Sequence, residues 1–223
     1  MKTLQGILLF LHITAGYSAL AASLIAALSK SFNTSHKMHV VCGRIFFWCM
    51  LAIFLTAVPI SFMTRNVFLL LVAIFSFYLA LSGWCYAKNR KGSALRLDWV
   101  RSIGMLIAAV AMAVYGFALL SVGDTNGYTM LVFSGIGAAL GINDLRIIFS
   151  GGVTGAARIG NHLTMMLAAS IATITAFLVT NIAFEPAYIV WLAPTVAITP
   201  VIIVWNAKVR RGAAPKGVPN VSA

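Results

Sequence analysis

The chain has 223 residues, of which 61% are hydrophobic and 9% charged, with a mean hydropathy of +0.97. A soluble domain of this size carries about a quarter charged residues, so the composition excludes a water-soluble globular fold and indicates an integral membrane protein. The net charge of +12 does not point to nucleic acid. The cations lie in short breaks between apolar blocks, where they set topology and meet anionic lipid.

Most of the apolar blocks are about 20 residues or longer, enough to cross about 30 Å of hydrocarbon as a helix. The first, Leu4 to Ser29, is too long for a signal peptide, lacks a cleavage site and is expected to remain as span one, with a polar interior of His12, Thr14, Tyr17 and Ser18. Span two is expected over His36 to Met63, span three over Val67 to Ala87, and span four over Leu97 to Val122, with Asp98, Trp99 and Arg101 at its mouth. The turn cluster Gly123-Asp124-Thr125-Asn126-Gly127 precedes span five, expected from Tyr128 to Ile142. A polar break at Asn143-Asp144-Leu145-Arg146 and a glycine-rich stretch, Ser150 to Gly155, lead to span six, Ala157 to Asn181. Span seven follows from Ala187 to Ala207, and residues 209–223 read as a disordered basic tail behind one membrane domain, 1–208.

All 16 Lys and Arg residues except Lys2 and Arg65 fall on one side of this topology. The positive-inside tendency makes that side cytoplasmic, with the N-terminus outside and the C-terminus inside. Trp84, Trp99, Tyr128, Tyr188 and Trp205 suit interfacial belts. Gly135, Gly137 and Gly141 on span five, and Ala168, Ala169 and Ala172 on span six, form small-residue ridges, so these spans are expected to be interior neighbours. Pro194 and Pro200 predict a kinked or locally opened span seven.

His39 and His162 each lie about one turn into a span from the cytoplasmic side, at matched depth. If spans two and six touch, the two imidazoles can ligate one metal or haem iron, or share a proton. Arg44, Asp98, Arg101, Asp144, Arg146 and Arg158 crowd the same face. The structural alternative is that these groups snorkel, cap helices or pair, Arg44 with Asp144 or Asp98. His36, nearest the loop, suits that alternative. His12 lies roughly 12 Å below the other surface, so one metal cannot hold all three, and a hydrogen bond to a carbonyl, Ser or Thr is its simpler role.

A dihaem arrangement needs two histidine pairs, whereas this chain offers one, so at most one b-type haem is expected unless Met165 or Met166 serves as a ligand. The one zinc set that can be assembled is His39, His162 and Asp144 with a water. Cys42, Cys49 and Cys85 lie in or beside spans and read as inert packing. No phosphate-binding loop, nucleophile elbow or dinucleotide fingerprint is present, and four acidic residues leave little for paired-carboxylate catalysis.

The segment His39-Val40-Val41-Cys42-Gly43-Arg44-Ile45-Phe46-Phe47 resembles the His-x-x-x-Gly-Arg-x-Phe-Phe stretch of bacterial membrane proteins grouped as domain of unknown function 2306. Leu11 to Gly16 is similar to their first-span His-x-x-x-Gly. Asp144-Leu145-Arg146, Gly151 to Gly155 and Arg158 to Met166 resemble elements of related proteins, with Asn161 replacing a usual cation. The resemblance implies a polytopic protein of the bacterial inner membrane, with His12, His39, Gly43, Arg44, Asp144, Arg158 and His162 as its recurring residues, and it implies no activity.

Three functions are weighed. The first is a redox protein in which His39 and His162 bind one b-type haem and Arg44 and Arg158 pair with its propionates. The second is a proton-coupled transporter of a small solute. The third is an accessory subunit whose cationic face docks anionic lipid, a membrane-protein partner or another copy of itself. A zinc hydrolase ranks below these.

Overall fold

The computed structural model describes residues 2–31 and 36–212, which form seven helices: α1 (Lys2–Ser31), α2 (His36–Thr64), α3 (Val67–Lys88), α4 (Arg96–Ser121), α5 (Asn126–Phe149), α6 (Gly155–Asn181) and α7 (Tyr188–Gly212). Each is long and apolar enough to cross a membrane. The packing has the polarity expected for lipid. On α4, Val100, Ile107, Val110, Val114 and Phe117 form an exposed apolar stripe, whereas Asp98, Arg101 and Ser102 are buried. In water this pattern would expose its apolar surface and strand its charges, and hydrocarbon satisfies both faces. The outer surface of the bundle is therefore suited to lipid contact.

Two pairs of consecutive helices pack closely on each other, α1 with α2 and α4 with α5. Helix α3 is central and touches α2, α4, α5 and α6, while α6 continues to α7 and α1. The core runs through Phe46, Leu79, Met105, Met112, Met130 and Met165, all at most 2% exposed.

The expectation that spans five and six are neighbours is corrected: α5 and α6 do not pack on each other. The glycine face of α5 lies against α4 instead. A Cβ at Gly141 would meet Leu106 and the Ser102 carbonyl, and one at Gly137 would meet Met105. Ser134 Oγ donates to the Ala109 carbonyl across the same seam at 2.7 Å. Small residues permit close approach without choosing the partner, and the short α4–α5 turn chooses α4. On α6, the side chain and backbone of Met166 lie against Gly83 of α3.

The boundary of span five also moves. Asn143 to Arg146 is helical, and α5 extends about two turns past the expected end at Ile142. Asp144 does not end the helix because it is fully buried on the face toward α3 and α4, where other side chains neutralise it. Helix α7 stays helical through Pro194 and Pro200, so no opened segment interrupts it. Most of the expected tail, 213–223, lies outside the described residues, as do residues 32–35 of the first loop.

At one end of the bundle the α3–α4 and α5–α6 loops are tied together by the Val153 N–H, which donates to the Gly92 carbonyl at 3.1 Å. Gly152 sits at φ 108°, and any Cβ there would collide with that carbonyl. Glycine is required by both backbone angle and space.

Candidate functional site

His39 and His162 come from helices whose backbones are not close neighbours, yet their rings meet, with centroids 6.4 Å apart and planes at 87°. Each ring is fixed from behind. His39 Nδ1 lies 3.0 Å from the Ala26 carbonyl of α1, and His162 Nδ1 lies 2.8 Å from the Gly83 carbonyl of α3. A carbonyl only accepts, so both Nδ1 atoms carry the proton, and a neutral ring then has its lone pair on Nε2. Backbone-anchored Nδ1–H with a free Nε2 is the arrangement of metal-ligating imidazoles. With ring centroids 6.4 Å apart, the two residues are near enough for both to serve one ion. The pair therefore offers two nitrogen donors to a metal ion or a haem iron.

It does not fit a three-ligand zinc site. Among the described residues no group of three or more His, Cys, Asp and Glu side chains is placed to hold a metal. Asp144, the expected third ligand, is engaged elsewhere. Tyr86 Oη donates to its Oδ1 at 2.6 Å, Tyr78 Oη donates to its Oδ2 at 2.8 Å, and Arg101 Nη1 pairs with Oδ2. Arg101 also pairs with Asp98 at 3.0 Å, donates to Ser82 Oγ at 2.7 Å and lies 5.0 Å from the Tyr86 ring centroid. Asp98 in turn accepts the Leu95 N–H at 2.8 Å, which fixes the start of α4. The expected pairing of Arg44 with Asp144 or Asp98 is thus replaced by Arg101, which lies between the two carboxylates. A buried guanidinium favours such a site because its planar fork serves several acceptors at once.

The remaining candidates have separate places. Arg44 and Arg146 are exposed, as is His36. Arg158 Nη1 donates to the Tyr86 and Ala87 carbonyls at 2.6 and 3.2 Å, capping the C-terminal end of α3. That nitrogen is a helix cap, a different role from the expected propionate contact. His12 Nδ1 lies 3.0 Å from Thr56 Oγ1, the threonine hydrogen bond anticipated for it. Thr56 is 17 residues along α2 from His39, about 25 Å of helix, so His12 belongs to neither cluster. Cys42 is buried, and all three cysteines are free thiols. Met165 is buried in the core.

Sequence reasoning overlooked Tyr78, Ser82 and Tyr86. Their spacing of four residues places them on one face of α3, and an aligned polar series inside an apolar span was the available signal. Gly83 joins the two clusters, since its carbonyl holds His162 while Ser82 and Tyr86 beside it hold Arg101 and Asp144. No family model, curated protein or solved structure matches the chain.

Proposed function

We propose that this chain is a multi-pass redox protein of the bacterial inner membrane in which His39 and His162 would hold one b-type haem. The observation that carries the reading is the matched pair of imidazoles, each with Nδ1 held by a helix carbonyl, leaving both Nε2 atoms for iron. A haem supplies reversible one-electron transfer. The chain's own contribution is to orient the ligands. Ala26 and Gly83 fix each ring's rotation and tautomer, and rigid helices α1 and α3 hold those carbonyls. The cation distribution supports an orientation with the N-terminus outside and this site near the cytoplasmic face, where anionic lipid meets the basic loops. The likeness to domain of unknown function 2306 is consistent with that location.

The test is the visible spectrum of protein purified from cells supplied with haem, air-oxidised and then reduced with dithionite. A reduced alpha band is expected in the wild type and in His12→Ala, and it should vanish in both His39→Ala and His162→Ala. A wild-type spectrum without Soret or alpha absorbance refutes the proposal, as does a band that survives both substitutions.

A second reading, proton-coupled transport of a small solute, is favoured by one feature: Asp144, Arg101 and Asp98 form an ionisable network inside the bundle. It predicts flux driven by a pH gradient in proteoliposomes and loss of that flux in Asp144→Asn. Flux that ignores the gradient counts against it.

A further inference from the structure

At the end of the bundle opposite the histidine pair, the α2–α3 turn, the α4–α5 turn and the start of α7 border an open cleft of about 550 Å³. Its lining includes Arg65, Phe68, Tyr115, Asp124, Asn126 and Trp191. The volume falls in the range of about 300–1,000 Å³ typical of small-molecule sites.

Arg65 is unusual on two independent counts. Helix α2 ends with the Asn66 N–H on the Ser61 carbonyl at 2.9 Å and the Arg65 N–H on the Phe62 carbonyl at 3.3 Å, the bond pattern of a helix stop that places one residue in the left-handed region. That residue is Arg65, at φ 52°, the one non-glycine with positive φ among the described residues. Glycine is the ordinary occupant of this position, because any Cβ is strained there. Arg65 is also one of only two cations on its side of the chain's topology, the other being Lys2. A strained backbone and a cation on the cation-poor side both oppose arginine at this position, and the cleft gives its guanidinium a use.

Asp124 supplies the opposite charge. It is half-buried, and its Oδ1 accepts the Asn126 N–H at 2.9 Å, which leaves Oδ2 for a ligand. Arg65 and Asp124 line one cleft without pairing, since the ion pairs among the described residues all belong to Arg101. The apolar part of the lining combines three aromatic rings with Leu69, Leu119 and Ala187. Trp191 meets Phe68 edge-on at 4.9 Å, and Tyr115 lies in the same lining. An unpaired cation and anion that line one cleft with aromatic rings are complementary to a molecule bearing a carboxylate, an ammonium and an apolar body.

We infer that this cleft binds a small zwitterion of the α-amino acid class with an apolar or aromatic side chain, its carboxylate on Arg65, its ammonium on Asp124 and its side chain against Phe68, Tyr115 and Trp191. The site is independent of the histidine pair and of whether that pair holds iron. A guanidinium can meet a carboxylate through two parallel hydrogen bonds, which is the recognition a strained arginine secures and a glycine forgoes.

The test uses the full chain in lipid nanodiscs and calorimetric titration with L-phenylalanine, L-tryptophan and L-leucine. Phenethylamine and 3-phenylpropionate, which each lack one of the two charges, serve as comparators. At least one amino acid should bind, and each comparator should bind about 10- to 100-fold more weakly, the range for losing a hydrogen bond to a charged group. Arg65→Gly should weaken amino-acid binding by a similar factor while melting no lower than the wild type, because it relieves the left-handed strain. Asp124→Asn keeps an acceptor for the Asn126 N–H and removes only the charge, and it should weaken binding likewise. The inference is overturned if none of the three amino acids binds, if either comparator binds as well as phenylalanine, or if both variants bind normally.

Discussion

Replacing Asp144 with alanine removes the acceptor shared by Tyr78, Tyr86 and Arg101, with no solvent to take its place, because Asp144 is 0% exposed and Arg101 7%. Breaking a buried ion pair by deleting one partner costs about 3–5 kcal/mol, since the other charge is left in a low-dielectric interior. Here Arg101 keeps Asp98 at 3.0 Å and Ser82 at 2.7 Å, which lowers the cost. Two buried phenol donors lose their acceptor, at about 1–3 kcal/mol each when nothing replaces it. These terms overlap, so a total of about 3–5 kcal/mol is expected. Asp144→Asn retains shape and one carbonyl acceptor and should cost less, about 1–3 kcal/mol. Tyr78→Phe and Tyr86→Phe each remove a single neutral donor and should cost about 0.5–1.5 kcal/mol. The assay is reversible unfolding in mixed micelles, followed by tryptophan fluorescence, for all four variants beside the wild type. The order Ala, Asn, then either Phe is the signature of a charge-centred network. An Asp144→Ala variant within about 1 kcal/mol of the wild type would refute the idea that this network holds α3, α4 and α5 together.

The other predictions concern separate parts of the bundle. Gly152→Ala should destabilise by about 2–5 kcal/mol, combining left-handed strain with overpacking against the Gly92 carbonyl; a normal melting profile would show that the loop junction can open. Gly83→Ala would bring a Cβ within 2.6 Å of Met166 Sδ and 3.2 Å of the Met166 backbone nitrogen, so it should cost about 1–3 kcal/mol and also disturb the carbonyl that holds His162. The spectrum of that variant should shift if His162 ligates iron, and an unshifted alpha band would separate the packing effect from the ligand. His12→Ala should cost about 0.5–1.5 kcal/mol through the lost Thr56 contact, with no spectral change. A vanished alpha band in that variant would place His12 in the cofactor site.

Much of the architecture was legible in the chain because it depends on local composition. An apolar run long enough for hydrocarbon becomes a helix whatever its neighbours do, since an unpaired backbone group is costly in lipid. All seven helices were found in that way, and the matched depth of His39 and His162 followed from counting residues from the loop ends. The failures share a cause. Asn143 to Arg146 read as a break because polar residues usually leave a span, whereas Asp144 remains inside by finding Arg101, which lies 43 residues away. Arg44 and Arg101 are the same residue type near the same end of the bundle, yet one is exposed and the other buried between two carboxylates. Tyr78, Ser82 and Tyr86 were overlooked because a hydroxyl on an apolar helix signals little until its acceptor is known.

The sequence by itself determined that the chain forms seven helices long and apolar enough to cross a membrane, and which ionisable residues lie near each end, because hydropathy and residue spacing act along one helix at a time. Only the tertiary structure decided which of those residues meet. It placed α5 against α4 and α6 against α3, brought His39 to His162 from non-adjacent backbones, and joined Asp144 to Arg101 and two tyrosines. Lipid is nearly indifferent to which apolar face it touches, so the choice of neighbour rests on short turns, small-residue fits and the pairing of buried polar groups.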